Sequence, residues 1–241
     1  MKKDFAIKQS KIETICRQDK IIESIILDFD GTFIKEHILI IWVLFLLLKS
    51  RLSINQKIFF FFNSFFRGIA SMIFSSCSLT SEWAVQFAYK TFRGIDINTV
   101  NYMLNYRKGK KTYAVNLNTA ITDILALLLR NIRAVPEISI YSQGSFTYVI
   151  RAFLQRQDVK ACLENMGIGI NSIVINANEL ETDDDGRFTG NLSGKIQTKF
   201  NRIHNMDKSA VFIGDSKDEA VIKKMGLQAV KFINWKKLSI Y

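Results

Sequence analysis

The sequence predicts an α/β fold, in which helices cover both faces of a parallel β-sheet. Short runs rich in Ile, Val and Phe alternate with stretches of helical character, and this alternation is typical of parallel sheets. The chain has 241 residues, of which 48% are hydrophobic and one is proline, so it can bury a large core without long linkers. We therefore expect a packed domain that carries one insertion.

Five strands are expected from short apolar runs that stop at turn residues. The first covers residues 21–27 and stops at the sequence DFDGT. The second starts after Pro136 and ends in a Ser/Gly turn, and a helix follows at about 146–155. The acidic stretch 183–186 is typical of a solvated hairpin turn. The remaining three strands are expected within 171–177, 209–216 and 228–233.

A long insertion separates the first two strands. It opens with two strongly apolar runs, 38–48 and 58–74, which are joined by the basic connector 49–57. The first run has 11 residues and would be about 16 Å long as a helix, which is too short for a hydrocarbon core of about 30 Å. The second run is interrupted by Asn63, Arg67 and Gly68. We therefore expect neither run to cross a membrane.

The rest of the insertion has a helical pattern up to about residue 131. Its last segment begins at an Asn or Thr that can cap a helix, near residue 118. We therefore divide the chain into a core formed by residues 1–33 and 134–241 and an inserted helical cap at 34–133. The cap carries the hydrophobic hairpin.

The net charge favours an anionic partner. The chain has 33 Lys and Arg against 22 Asp and Glu, a formal charge of +11, which suits phospholipid headgroups, a phosphorylated substrate or nucleic acid. No module combines basic residues with stacking aromatic residues, so we do not expect nucleic-acid binding.

The cysteines and the first residues favour the cytoplasm. The three cysteines, Cys16, Cys77 and Cys162, are widely spaced and form no CxxC pair, as expected of reduced thiols. The first twenty residues contain no apolar segment of the kind found in a secretion signal. We expect a cytoplasmic protein that can lie peripherally at the inner face of the cell membrane.

Polar side chains are expected to gather at one edge of the sheet. Asp28 and Asp30 follow the first strand, Ser142 follows the second and Asp215 follows the fourth. In parallel sheets, ligands bind beyond the carboxyl ends of the strands. If the extended conformation continues past the first strand, Asp28 and Asp30 lie on the same side.

These motifs, in this order, resemble those of the haloacid dehalogenase (HAD) superfamily of phosphohydrolases, and in particular its phosphoserine-phosphatase-like branch (subfamily IB). The residues that carry the resemblance are DFDGT at 28–32, Ser142 in YSQGS, a downstream lysine and FIGDSKDE at 212–219. The resemblance implies a Rossmann-like parallel sheet with a helical cap inserted after the first motif. It covers the framework of nearly the whole chain, and within the insertion only position and helical character match.

The resemblance also implies a reaction. Asp28 would be the nucleophile that forms an aspartyl-phosphate, and Asp30 would protonate the leaving oxygen and then deprotonate water. A phosphate dianion beside two ionised aspartates requires a nearby cation, and Mg²⁺ suits such oxygen ligands. The implied substrate-binding residues are Ser142, Gln143, Gly144 and Lys199. The implied metal ligands are Asp28, Asp30, Asp215 and Glu219.

Two positions leave alternatives. The last motif commonly reads GDSxxD, whereas this chain has Glu219 at the second acid and Asp218 one place earlier. We prefer Glu219, because its longer side chain can still orient a metal-bound water or the lysine. The phosphate lysine is Lys195 or Lys199, and we prefer Lys199 because it begins the more helical stretch.

The phenylalanines of the hairpin allow two interpretations. They fill a core inside the cap, or they enter the membrane interface. The gain from burying them is similar in either apolar medium and does not discriminate. Consecutive phenylalanines at 59–62 cover all sides of a helix, and the basic flanks favour anionic lipid, so we favour the membrane interface.

Together these features predict a Mg²⁺-dependent phosphomonoester hydrolase that acts on a membrane-associated or lipid-linked phosphate. In layout the chain is similar to the membrane-associated phosphatidylglycerophosphate phosphatases and to the HAD domains joined to UbiA-type prenyltransferases. Two alternatives are a soluble phosphatase for a small metabolite such as phosphoserine and a non-catalytic HAD-fold partner of a membrane enzyme. The second of these rests on the Glu219 departure alone.

Overall fold

The structure is a computed structural model, described here for residues 10, 12–13, 22–49, 53–74, 80–108, 112–132, 135–198, 209–224, 231–237 and 239–240. The strands are β1 (Ser24–Asp28), β2 (Arg107–Lys108), β3 (Thr112–Tyr113), β4 (Glu137–Phe146), β5 (Val174–Thr182), β6 (Phe188–Ser193), β7 (Ala210–Gly214), β8 (Lys231–Asn234) and β9 (Ser239–Ile240). The helices are α1 (Ile38–Lys49), α2 (Ile54–Phe74), α3 (Ser81–Tyr89), α4 (Ile97–Asn105), α5 (Thr119–Asn131), α6 (Thr147–Leu154), α7 (Gln157–Glu164) and α8 (Ser216–Lys224). Short 3₁₀ turns lie at Lys90–Phe92 and Ile170–Ser172.

The central sheet has the order β6-β5-β4-β1-β7-β8-β9. Its five inner strands are parallel, and β6 and β9 pair antiparallel at the two edges. The predicted α/β fold is therefore confirmed, and each of the five expected strands has a counterpart in the parallel part. The two edge strands were not predicted, because β6 contains Gly, Asn and Ser and β9 has only two residues in the structure.

The register of the sheet determines which residues lie side by side at the ends of neighbouring strands. On one side of β1, Asp28 lies opposite Tyr141 of β4, one residue before Ser142. On the other side, Leu27 lies opposite Ile213 of β7, so Asp28 is level with Gly214 and Asp215 follows immediately. All five residues of β7 are buried, as expected for an inner strand covered on both faces. The sheet thus brings the ends of β1, β4 and β7 to one edge.

The insertion between β1 and β4 is helical, as predicted, and also contains the small β2–β3 hairpin. Its final helix, α5, begins at Asn118, whose side chain accepts a hydrogen bond from the Ala120 backbone N–H. Aromatic contacts connect the insertion to the sheet. The ring centroids of Phe92 and Phe146, at the end of β4, are 5.1 Å apart, and those of Trp42 and Phe92 are 5.3 Å apart. The insertion is therefore packed against the edge that carries the polar strand ends.

Helix α2 presents apolar side chains to the outside. Phe62 and Phe66 are 53% and 66% exposed, and they lie on one face with other exposed apolar residues: Ile58, Phe61, Phe65, Ile69 and Ile73. Helix α1 adds a second exposed row, Ile40, Leu44 and Leu48. The alternative in which the hairpin phenylalanines fill the interior of the cap does not hold for Phe61, Phe62, Phe65 and Phe66. The side chains of Phe59 and Phe60 lie outside the described part of the chain.

Polar residues in the middle of α2 face inward. Ser64 is buried, and Arg67 donates hydrogen bonds to Asn63 Oδ1 at 2.9 Å and to the Phe87 carbonyl oxygen at 3.4 Å. The guanidinium also lies over the Phe87 ring, 5.2 Å from its centroid, and its partial burial lowers the pKa of Arg67. The helix is thus inverted relative to an ordinary amphipathic helix, whose polar face meets water.

Among the described residues, no helix is both long enough and apolar enough to cross a membrane. Of the three cysteines, only Cys162 falls within the described residues, where it is a free thiol. Cys16 and Cys77 fall outside them.

Candidate active site

Asp28 ends strand β1 and is 3% exposed. The strand does not continue through Asp30 as the period-of-two argument required, because the chain enters a tight turn at Phe29–Phe33. Gly31 has φ +73°, and a Cβ there would lie 3.0 Å from the His37 ring, so the turn requires glycine. The turn, rather than an extended strand, therefore sets the position of Asp30.

The Asp30 carboxylate accepts hydrogen bonds from three donors. Its Oδ2 accepts from the Ser142 hydroxyl at 2.7 Å. Its Oδ1 accepts from the Ser145 hydroxyl at 2.9 Å and from the Ile38 backbone N–H at 3.0 Å. Ile38 is the first residue of α1, so this carboxylate joins the turn after β1, the end of β4 and the start of the hydrophobic hairpin.

The end of β4 closely surrounds this carboxylate. The Ser142 hydroxyl also accepts a hydrogen bond from the Ser145 backbone N–H at 2.7 Å, which closes a tight turn. Within that turn, a Cβ at Gly144 would lie 3.3 Å from Asp30 Oδ2. The Gln143 carbonyl oxygen accepts from the Tyr89 hydroxyl at 3.2 Å, so the insertion contacts this loop directly.

Asp215 lies at the end of β7, the strand on the other side of β1. Its side chain is 8% exposed and accepts from the Lys217 backbone N–H at 2.8 Å and from Lys236 Nζ at 3.4 Å. The neighbouring Asp218 turns back onto the same loop, where its Oδ2 accepts from the Asp215 backbone N–H at 3.0 Å. Asp218 thus holds the turn between β7 and α8.

Glu219 is almost fully buried, and two lysines offset the negative charge of its carboxylate. One carboxylate oxygen accepts from Lys223 Nζ at 2.7 Å. The other accepts from Asn234 Nδ2 at 2.6 Å and lies 3.6 Å from Lys237 Nζ. Asn234 ends β8, so this acid is fixed at the same sheet edge as the other strand ends.

The structure describes only one of the two candidate phosphate lysines. Lys195 lies exposed in the loop after β6. Lys199, the preferred candidate, lies outside the described residues. The acidic stretch 183–186 forms the turn between β5 and β6, where Asp183 Oδ1 accepts from two backbone N–H groups, as predicted for a solvated hairpin turn.

The residues at this edge are suited to a divalent cation with hard oxygen ligands. Asp28 and Asp215 end adjacent parallel strands, and the backbone carbonyl of Asp30 is close in the chain to the first of them. Within the described ranges, no three or more His, Cys, Asp or Glu side chains come close enough together to hold a metal. Two carboxylates and a carbonyl suit Mg²⁺, because this ion usually keeps several waters.

Sequence reasoning identified Asp30 and Ser142, and the structure places them in direct contact. It missed four residues that touch the predicted acids or their loop: Ser145, Tyr89, Asn234 and Lys236. Two of these had a readable signal, because Ser145 lies in the turn after the second strand and Asn234 ends the fifth. Tyr89 and Lys236 lie in segments that no motif singles out.

Solved structures share this fold, although no protein-family model matches the sequence and no curated protein matches it significantly. One is a phospho-aspartyl intermediate analogue of phosphoserine phosphatase, with 15% identity and a TM-score of 0.53 over 91% of this chain and 92% of that chain. A HAD family hydrolase from Salmonella enterica serovar Typhi has 15% identity and a TM-score of 0.55, with 89% of this chain and 62% of that chain covered. A protein of unknown function from Bordetella pertussis Tohama I has 12% identity and a TM-score of 0.52, with 88% and 99% covered.

At these identities the similarity establishes the fold. The chain has the α/β fold of HAD hydrolases, with a helical insertion after the strand that carries Asp28. The fold predicted from the four motifs is therefore confirmed.

Proposed function

We propose that the protein is a phosphomonoester hydrolase that acts through an aspartyl-phosphate on Asp28. The observation that carries this proposal is the Asp30 carboxylate, held by three donors two residues after a buried aspartate at the edge of a parallel sheet. The fold shared with a phosphoserine phosphatase supports the same chemistry. Structural roles alone do not require a buried acid, two buried serines and a partly buried second acid to gather at this edge.

The proposed reaction has two displacements. A carboxylate oxygen of Asp28 attacks phosphorus, the bond from phosphorus to the leaving oxygen breaks, and Asp30 gives that oxygen a proton. Water then attacks the aspartyl-phosphate, and Asp30 takes one proton from the water as Asp28 is released. The proposed phosphate-binding residues are Ser142, Gln143, Gly144 and Lys199, the last of which lies outside the described residues.

The proposed cofactor is Mg²⁺, held by Asp28, the carbonyl of Asp30 and Asp215, with Glu219 as the second acid of the last motif. When bound, the ion offsets the negative charge of the phosphoryl group and the carboxylates. The contacts of Asp218 support this choice of acid, because its carboxylate holds the loop backbone whereas Glu219 lies against Asn234 at the sheet edge.

The basic test is phosphate release from p-nitrophenyl phosphate with and without Mg²⁺. We expect activity that chelation removes and added Mg²⁺ restores, and that is absent in Asp28→Asn. A wild type as inactive as Asp28→Asn, across a range of phosphorylated substrates, would favour the non-catalytic alternative instead.

We further propose that the substrate is membrane-associated or lipid-linked and that the hairpin contacts an anionic membrane at its cytoplasmic face. The support is the inverted helix α2, whose phenylalanines face outward while Arg67 faces the protein. Exposed apolar rows on α1 and α2 together form a surface of the kind that lies in a membrane interface, and the net charge of +11 favours anionic headgroups.

A second candidate substrate class is a small phosphorylated metabolite. It is favoured by the similarity in fold to a phosphoserine phosphatase over nearly the full length of both chains. A screen that compares phospholipid phosphates in vesicles with soluble phosphomonoesters, in the presence of Mg²⁺, separates the two. Higher kcat/KM for the vesicle substrates supports the membrane-linked proposal, and preference for soluble substrates supports the second candidate.

A further inference from the structure

Ser145 is a fully buried residue at the end of the second motif, YSQGS, and the resemblance assigned it no role. Its hydroxyl donates to Asp30 Oδ1 at 2.9 Å, and its backbone N–H donates to the Ser142 hydroxyl oxygen at 2.7 Å. It therefore contacts both Asp30 and Ser142. A buried hydroxyl must form hydrogen bonds with the protein, so these partners fix its position.

The two oxygens of the Asp30 carboxylate differ in their surroundings. Within the described part of the chain, Oδ1 accepts from the Ser145 hydroxyl and from the Ile38 backbone N–H, and Oδ2 accepts from the Ser142 hydroxyl. A backbone N–H can only donate, and a protonated carboxyl oxygen accepts more weakly than an ionised one, so a proton on Oδ1 would weaken the bond to Ile38. The Ser142 hydroxyl can instead reverse and accept, so Oδ2 can carry a proton without losing its partner.

We infer that Ser145 is a positioning residue for proton transfer by Asp30. With the Ile38 N–H it holds Oδ1 from one side, and this fixes the plane of the carboxyl group. Oδ2 is then the oxygen that gives a proton to the leaving group and later takes one from water. This inference rests on the proposed phosphatase function, and it assigns a role that the motif residues alone do not define.

The experiment compares two leaving groups in one variant. A p-nitrophenolate departs with little need for a proton, whereas the alkoxide of an alkyl phosphate such as glycerol 2-phosphate needs one from Asp30. The measured quantity is kcat/KM, because it covers only the steps up to phosphoryl transfer to Asp28 and excludes the later hydrolysis that the two substrates share.

For Ser145→Ala we expect kcat/KM to fall by about tenfold or more for glycerol 2-phosphate and by much less for p-nitrophenyl phosphate, since poor placement of a catalytic group costs up to about 100-fold. The matched control is Ser139→Ala, which removes the hydroxyl of another buried serine on β4 that is not a partner of Asp30. Ser139→Ala should lower kcat/KM equally for the two substrates or leave both unchanged.

Both substrates are measured in the same sample, so a loss of folded protein cancels from the ratio. An equal loss for the two substrates in Ser145→Ala, or no loss, overturns the positioning role and leaves the phosphatase proposal standing. A wild type that is inactive on both substrates overturns the phosphatase proposal and this inference with it. A selective loss for the alkyl phosphate supports both.

Discussion

The turn around Asp30 and helix α2 differ in which side chains the protein encloses. Around Asp30, two buried serine hydroxyls donate to the partly buried carboxylate, with hydrogen bonds of 2.7 and 2.9 Å. On α2, Arg67 points inward while Phe62 and Phe66 point outward. In the first region the cost of burying polar groups is offset inside the protein.

In the second region the exposed apolar area has no such compensation among the described residues. Single exposed apolar side chains are common, but rows of them on two helices are typical of interaction sites. The comparison therefore separates a turn whose polar groups are satisfied by the chain itself from a helix whose apolar row is exposed. We propose that lipid covers this row.

The largest expected effect is at the satisfied region, in Asp28→Asn. Asparagine keeps the shape of the side chain but is a poor nucleophile, so turnover should fall by about 1,000-fold or more. Phosphate release measures the loss, and thermal unfolding should show an intact fold. Near-normal turnover in this variant would mean that Asp28 is not the nucleophile.

The next effect is expected for Gly144→Ala. The added Cβ would lie 3.3 Å from Asp30 Oδ2, so the carboxylate must shift by a few tenths of an ångström. We expect kcat/KM to fall by about tenfold to 100-fold, because catalytic groups tolerate little displacement.

Gly169→Ala is the matched control, since a Cβ there meets only the Ser172 hydroxyl at 3.7 Å. Its activity should equal that of the wild type. If Gly144→Ala also keeps full activity, then the close contact with Asp30 does not matter for the reaction.

A third prediction concerns the outward face of α2. Replacing Phe62 and Phe66 together with serine should weaken binding to anionic vesicles by about 2 kcal/mol, or about thirtyfold, since each half-exposed ring still has about 1 kcal/mol of burial to gain. Vesicle sedimentation measures the change, and thermal stability should not fall. The control is Tyr102→Ser, which removes an exposed aromatic ring on α4.

Unchanged vesicle binding in the Phe62→Ser, Phe66→Ser variant would contradict this prediction, because it would show that these side chains do not contact lipid. Higher salt should also weaken binding if anionic headgroups contribute.

The smallest effect is expected on the inward face of α2. Arg67→Ala removes the hydrogen bonds to Asn63 and Phe87 and the contact with the Phe87 ring, so the free energy of unfolding should fall by about 1 to 2 kcal/mol. Denaturant unfolding measures it, and vesicle binding should stay at the wild-type value. A loss of vesicle binding without a loss of stability would place Arg67 at the lipid surface instead.

The sequence was sufficient for the fold and for the places of three polar residues at the strand ends. Short apolar runs located the parallel strands, and the polar residues at their ends located Asp28, Ser142 and Asp215. The conformation of the turn after β1 was not predictable in the same way, because it depends on Gly31 against His37 rather than on the period of a strand. The bond from Ser145 to Asp30 joins residues 115 positions apart, a separation at which local patterns carry no signal.

The orientation of α2 also could not be read from composition. Phenylalanines bury equally well in a protein core or in lipid, so the sequence left both interpretations open, and only the structure shows that Phe62 and Phe66 face outward while Arg67 faces inward. The last motif shows a similar limit, because only the contacts separate Asp218, which holds its own loop, from Glu219, which lies against Asn234.

The hydrogen bond from the Ile38 N–H to Asp30 joins the start of α1 to the candidate active site. The helix has 12 residues and is about 18 Å long. Its exposed row, Ile40, Leu44 and Leu48, lies on this same helix. If that row enters lipid as we propose, membrane docking and the placement of the proposed acid would involve one and the same helix.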